Sequence, residues 1–150
     1  PMGYFFSKFA VVLFYAILFM CITACASVLA GSFSGCIVWD GNSALYLLKK
    51  CMEIGVLTAF AMMPVLAVAA SQKGYILPVC VTLIYTFLGF ILLMENMYLH
   101  PLSSTTAIVM GDVPGVVLPQ ELNHIAALFC IGIWGVVSTT AANISLSRRT

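Results

Sequence analysis

Five residues concentrate the acid–base and ligand chemistry open to this chain: Glu95, His100, Asp112, Glu121 and His124. Glu121 and His124 stand three apart, which on a helix puts a carboxylate and an imidazole on one face. Glu95, His100, Glu121 and His124 could be drawn around a metal. Two histidines without a tight spacing motif make no recognisable ligand set, so neither a metal nor a catalytic residue is expected. In a second reading Glu121 caps the helix that follows, near the positive end of its dipole, and His124 is an ordinary interfacial residue. The stretch from Glu95 to Glu121 carries three carboxylates and no Lys or Arg. Such a surface would attract a cationic substrate such as a basic peptide. The same pattern also arises wherever external loops are depleted of Lys and Arg. Thr82 and Thr86 are threonines on the polar stripe of the apolar run before this stretch, and with Glu95, His100, Asp112 and Glu121 they are the candidates for a substrate path.

The elements that must position these residues belong to lipid. Uncharged apolar runs cover residues 9–31, 51–71, 76–96 and 122–146, with charge only at Glu53 and Glu95, each within three residues of a run's end. About 20 residues at 1.5 Å each cross a hydrocarbon core roughly 30 Å thick. Hydrophobic residues make up 63% of the 150 and charged residues 7%, against about 25% charged in soluble domains. The reading is an all-α, polytopic membrane protein with four spans. Its net charge of +1 and lack of a basic stripe exclude nucleic acid as a partner. The motifs G-x-x-x-x-G-K-[ST], G-x-S-x-G and H-E-x-x-H are all missing, so no nucleotide is bound through a P-loop and no hydrolase site is recognisable. No ionisable residue stands mid-span, where an ion-coupled carrier needs one.

With the N-terminus inside the cell, Lys8, Lys73, Arg148 and Arg149 are cytoplasmic and Lys49 and Lys50 external, the favoured asymmetry. The C-terminus is then cytoplasmic too. The lysine pair is expected on a short interfacial helix over residues 44–50, its ammonium groups reaching headgroups. Trp39, Tyr46, Tyr75 and Tyr98 fall at interfacial positions. Residues 71–75 form a tight turn, pairing the second and third spans as a hairpin. Pro78 suits a first helical turn, and Pro64 should kink the second span.

Residues 100–119 are too apolar for a free loop and are broken around Gly111 and Pro114. Two half-helices, about 102–110 and 113–118, are expected to dip into the membrane and return as a re-entrant element covered by the spans. Small residues at helical spacing (Gly55, Ala59, Gly89, Gly132, Gly135 and Ala142) mark close helix packing. The six cysteines include no CxxC pair, and all but Cys36 lie in or beside apolar runs, as packing residues do. Lys8 followed by an apolar run ending Ile22-Thr23-Ala24-Cys25 has the look of a lipoprotein signal, but the run continues to Gly31, past a signal core.

Ser71-Gln72-Lys73-Gly74-Tyr75-Ile76-Leu77-Pro78 and Tyr98-Leu99-His100-Pro101-Leu102-Ser103, with the run between them, resemble the C-terminal part of ABC-2 type transporter permeases, most closely the lantibiotic- and bacitracin-immunity group. The resemblance implies six spans, of which this chain holds the last four, with the first two upstream of Pro1. It implies a subunit that binds no cofactor itself. A separate cytoplasmic ATPase binds ATP, and a second permease, identical or related, completes the path. The cargo would be an antimicrobial peptide exported for immunity. Lys8, Gln72, Lys73 and Tyr75 would couple to the ATPase. The external Lys49-Lys50 pair is not a feature the family leads one to expect. A secondary-transporter fragment or a structural membrane subunit is the alternative.

Overall fold

The computed structural model describes residues 2–33, 35 and 40–148. The expectations for Cys36, Trp39 and Arg149 lie outside the described residues. Among the described residues six helices follow in order: α1 (Met2–Phe33), α2 (Gly41–Ala61), α3 (Met63–Ser71), α4 (Ile76–Glu95), α5 (Pro101–Gly111) and α6 (His124–Ser147). Helices α1, α4 and α6 are each long and apolar enough to cross a membrane, and α2 with α3 forms a fourth candidate span bent by 46°. Among the described residues there is no strand. Large apolar side chains such as Phe14, Phe19, Phe87, Phe90 and Phe129 point outward, as lipid-facing residues should when the surrounding medium is as apolar as they are.

The bend follows from one missing donor. Pro64 cannot supply the N–H that a continuous helix would send to Phe60, and its ring crowds that carbonyl. The chain breaks at Met62, whose backbone sits at φ −88°, ψ 2°, and resumes as α3 with Pro64 in its first turn.

Two details depart from the sequence reading. Residues 44–50 are no separate interfacial helix: α2 runs unbroken from Gly41, its Asp40 cap accepting from the Asn42 amide, so both lysines lie within it. The last span starts at His124, not Leu122. Its cap is Asn123, which has extended backbone and accepts from the amides of Ile125 and Ala126, so Glu121 is neither the cap nor on a helical face with His124. Asn is among the strongest capping residues, and its position immediately before the helix lets it reach those amides.

Packing is closest where side chains are smallest. Phe5 and Phe9 of α1, Ala59 of α2, Met63, Ala67 and Ala70 of α3, and Ala142 of α6 form one core at one end of the bundle. A Cβ on Gly55 would lie 3.2 Å from Met20 Cγ, so that glycine lets α2 close onto α1. Gly132 instead faces open space, so not every small residue marks a helix contact.

Candidate functional site

The polar interior is built around α5. This helix packs against α2, α4 and α6, although four consecutive positions, Ser103, Ser104, Thr105 and Thr106, carry hydroxyls. Ser103, Ser104 and Thr105 are buried. Burial of a hydroxyl is tolerated when it finds an acceptor. Ser103 donates to the Gly89 carbonyl of α4 at 2.5 Å, Ser104 to the Met97 carbonyl at 2.7 Å, and Thr106 to Leu102 in its own helix at 2.9 Å. The Thr105 hydroxyl finds no partner.

Pro101 starts α5, where its missing N–H costs nothing, and His100 caps it from extended backbone, its Nδ1 accepting from the Leu102 amide at 3.3 Å. His100 is 6% exposed. Its ring leans on Tyr85 of α4, with centroids 4.2 Å apart, and the Tyr85 hydroxyl donates to the Ala61 carbonyl at the α2–α3 break. Gly89 makes the approach possible: a Cβ there would lie 3.2 Å from His100 Nδ1 and 3.1 Å from Leu102 Cδ2. The other ring nitrogen, Nε2, is buried without a partner. Burial lowers the proton affinity of His100 below its ordinary value, because charge is disfavoured away from water.

After α5 the chain returns to α6 without a second half-helix. Residues 112–115 form turns and bends, and residues 116–118 are irregular. Gly115 at φ +87° interrupts the six-residue stretch, and Pro119 biases Leu118 toward extended backbone. The return is clasped to the end of α4. The Tyr98 hydroxyl donates to the Glu121 carbonyl at 2.7 Å and accepts from the Asn123 amide at 2.8 Å. Gln120 reaches the Glu95 carbonyl at 3.1 Å, while Leu118 and Leu122 pack on Leu93, Met97 and Ala107.

The candidates read from sequence therefore separate. His100 is an interior residue, whereas Glu95, Asp112, Glu121 and His124 are exposed. Asp112 pairs with Lys50 of α2, which also holds Glu53 at 3.0 Å. The Lys50 hydrogen bond keeps the Asp112 carboxyl below its ordinary value, with a smaller contribution from nearby His124. Thr82 and Thr86 return their hydroxyls to α4 itself, to the Pro78 and Thr82 carbonyls at 2.7 and 2.8 Å. Gln72, Lys73 and Tyr75 are exposed in the α3–α4 turn. Lys8 lies over the Tyr4 ring near the start of α1, its Nζ 4.6 Å from the centroid. Among the described residues no three His, Cys, Asp or Glu side chains gather as ligands.

Sequence reasoning missed the interior role of Ser103, Ser104 and Thr105, and the partner of Lys50. The run of four hydroxyls inside an apolar stretch was the available signal for the first. Nothing local signalled the second.

A family model described as "ABC-2 family transporter protein" matches residues 1–89 of the chain. Neither a curated protein nor a solved structure matches it.

Proposed function

This chain belongs to the ABC-2 transporter family, and from that premise we propose that it is the permease of an exporter that removes a cationic antimicrobial peptide from the membrane. Membership makes it a membrane subunit of an ABC transporter, a class that works with an ABC ATPase. The observation that carries the reading is that membership, and the lack of a P-loop motif within these 150 residues is in keeping with hydrolysis by a partner ATPase.

Charge distribution supports the rest. Lys8, Lys73 and Arg148 belong to the end where α1 begins and α3 and α6 finish, and no Asp or Glu belongs to that end among the described residues. By the positive-inside rule this end is cytoplasmic, and the exposed Gln72–Tyr75 turn with Lys8 is the surface offered to the ATPase. Glu95 and Glu121 at the opposite end attract a basic peptide. Asp112, already paired with Lys50, contributes less. Helix α5 with its return is the re-entrant element of the path, and a second permease completes it.

Purification of the tagged protein from its native host in mild detergent, followed by mass spectrometry, tests the reading. A co-purifying P-loop ATPase whose hydrolysis rises with a cationic peptide supports it. An ATPase that responds equally to neutral and cationic peptides would leave the permease assignment standing and overturn the cargo. Absence of any ATPase from a preparation that keeps other complexes intact would overturn the assignment itself.

A further inference from the structure

We propose that His100 is a proton-operated latch on α5: the neutral ring caps and docks the helix, and protonation releases it. The inference is independent of the cargo and of the direction of transport. It rests on how the two ring nitrogens are placed.

Nδ1 accepts the Leu102 amide. An acceptor nitrogen must carry a free lone pair, so the single proton of the neutral ring sits on Nε2. A second proton can go only to Nδ1. There it would meet the Leu102 N–H donor to donor, and the cap of α5 would be lost. The added charge would also sit at the positive end of the α5 dipole, where cations are disfavoured.

Among the described residues no carboxylate acts on His100 to offset that charge, and only the face of the Tyr85 ring lies against it. Helix α4 presents the Tyr85 ring and Gly89 to His100. Helix α6 contributes Trp134, whose indole N–H donates to the adjacent Leu99 carbonyl at 3.1 Å and carries no charge. Lys50 and Glu53 of α2 meet α5 at Asp112, its opposite terminus. Glu95 and Glu121 are exposed and engage this region through backbone carbonyls, to Gln120 and Tyr98. The orphaned Nε2 separates His100 from an ordinary structural histidine, whose buried nitrogens are normally both satisfied.

Once uncapped, α5 keeps the packing of Ala107 and Ile108 and the Lys50–Asp112 pair, but its N-terminal turn loses its anchor. The helix has 11 residues, too few to persist as an isolated helix, and much of its attachment to α4 and the following turn is through the Ser103 and Ser104 hydroxyls. The direction in pH follows from linkage. The docked ring binds a proton less readily than a solvent-exposed one, so docking is fully favoured above the ordinary histidine value of 6.5 and weakens as pH falls below it.

Amide hydrogen exchange of the protein in lipid nanodiscs, corrected for intrinsic rates, reads the latch directly. Between about pH 8 and pH 5 the amides of residues 102–108 should lose protection by up to about tenfold per pH unit once below the exposed histidine value. Amides of α1 and α3 around Phe9 and Ala67 should hold theirs. His100→Asn keeps a capping acceptor but cannot titrate, and should abolish the pH dependence. Constant protection of residues 102–108 in the native protein would overturn the proposal whatever the variant does. So would the same loss in His100→Asn, or a loss shared equally by α1 and α3.

Discussion

Lys50 of α2 and Asp112 at the C-terminus of α5 form an ion pair across 62 positions of sequence. The lysine that looked like a headgroup anchor is thereby a tie between a span and the central helix, with Glu53 as its second carboxylate. Lys50→Glu should place three carboxylates together and lower the thermal midpoint in detergent. The exchanged pair Lys50→Asp with Asp112→Lys should recover most of the loss, and high salt should shrink both effects. The acid dependence has a definite sign. Lys50 holds the Asp112 carboxyl below its ordinary 3.8, so the stabilisation is present above that value and is lost as pH falls through the lowered one. Melting curves of the native protein and Asp112→Asn should differ near neutral pH and converge in acid.

Gly89 is where α4 yields to α5. An added Cβ would press on Leu102 Cβ at 3.2 Å and on His100 Nδ1 at the same distance. Gly89→Leu should push α5 away and cost about 1–3 kcal/mol, the usual range for overpacking a filled interior. Gly132→Leu, at a position facing open space, should change stability little. Denaturation of the two variants side by side in detergent checks the contrast. Equal losses would mean that the α4–α5 contact at Gly89 is not what sets the cost, since helix propensity favours leucine over glycine at both sites.

That contrast shows what was legible in the sequence. Apolar run length located the long apolar helices because every backbone group in lipid must be paired within its own helix, which leaves few alternatives. Pro64 announced the α2–α3 break for a purely local reason. The start of α6 was harder to read. Glu121 and Asn123 are both plausible caps, and the choice depends on a backbone path that Tyr98 fixes from 25 positions away in the chain. His100 groups with the acidic candidates although residues 100–119 read as a covered element, because nothing local separates it from Glu95 and Glu121. Its burial depends on Gly89 lying opposite it, a relation between two helices that no periodicity displays. Glycine spacing alone did not separate Gly89 from Gly132.

The Tyr98 hydroxyl serves the segment entering α6 twice, as donor to Glu121 and acceptor from Asn123. Tyr98→Phe removes one oxygen and both bonds while leaving the ring packed near Ile108 and Ala127. A hydrogen bond contributes about 1 kcal/mol net, and these two are partly exposed, so a loss of about 1–2 kcal/mol is expected in total. Hydrogen exchange should localise it to the Asn123 amide and the first turn of α6, with α1 unchanged. An unaltered Asn123 amide would show that Gln120 and the packing of Leu118 and Leu122 hold the return by themselves.

The α3–α4 turn supplies the sharpest test of how this subunit meets its ATPase. Gln72, Lys73 and Tyr75 are exposed, so substitutions there leave the bundle's packing intact. If the turn is part of the docking surface, Lys73→Glu should reduce the ATPase recovered with the tagged permease by about tenfold, equivalent to about 1.4 kcal/mol of binding. Lys73→Arg, which keeps the charge, should recover most of it. Lys49→Glu is the matched control: it reverses an exposed lysine on α2 at the other end of the bundle and should leave recovery unchanged. Quantitative mass spectrometry of the three variants, normalised to permease, separates the outcomes. A similar fall for Lys73→Glu and Lys49→Glu would point to net charge or expression. No fall for Lys73→Glu would remove this turn from the coupling surface and leave Lys8 as the candidate.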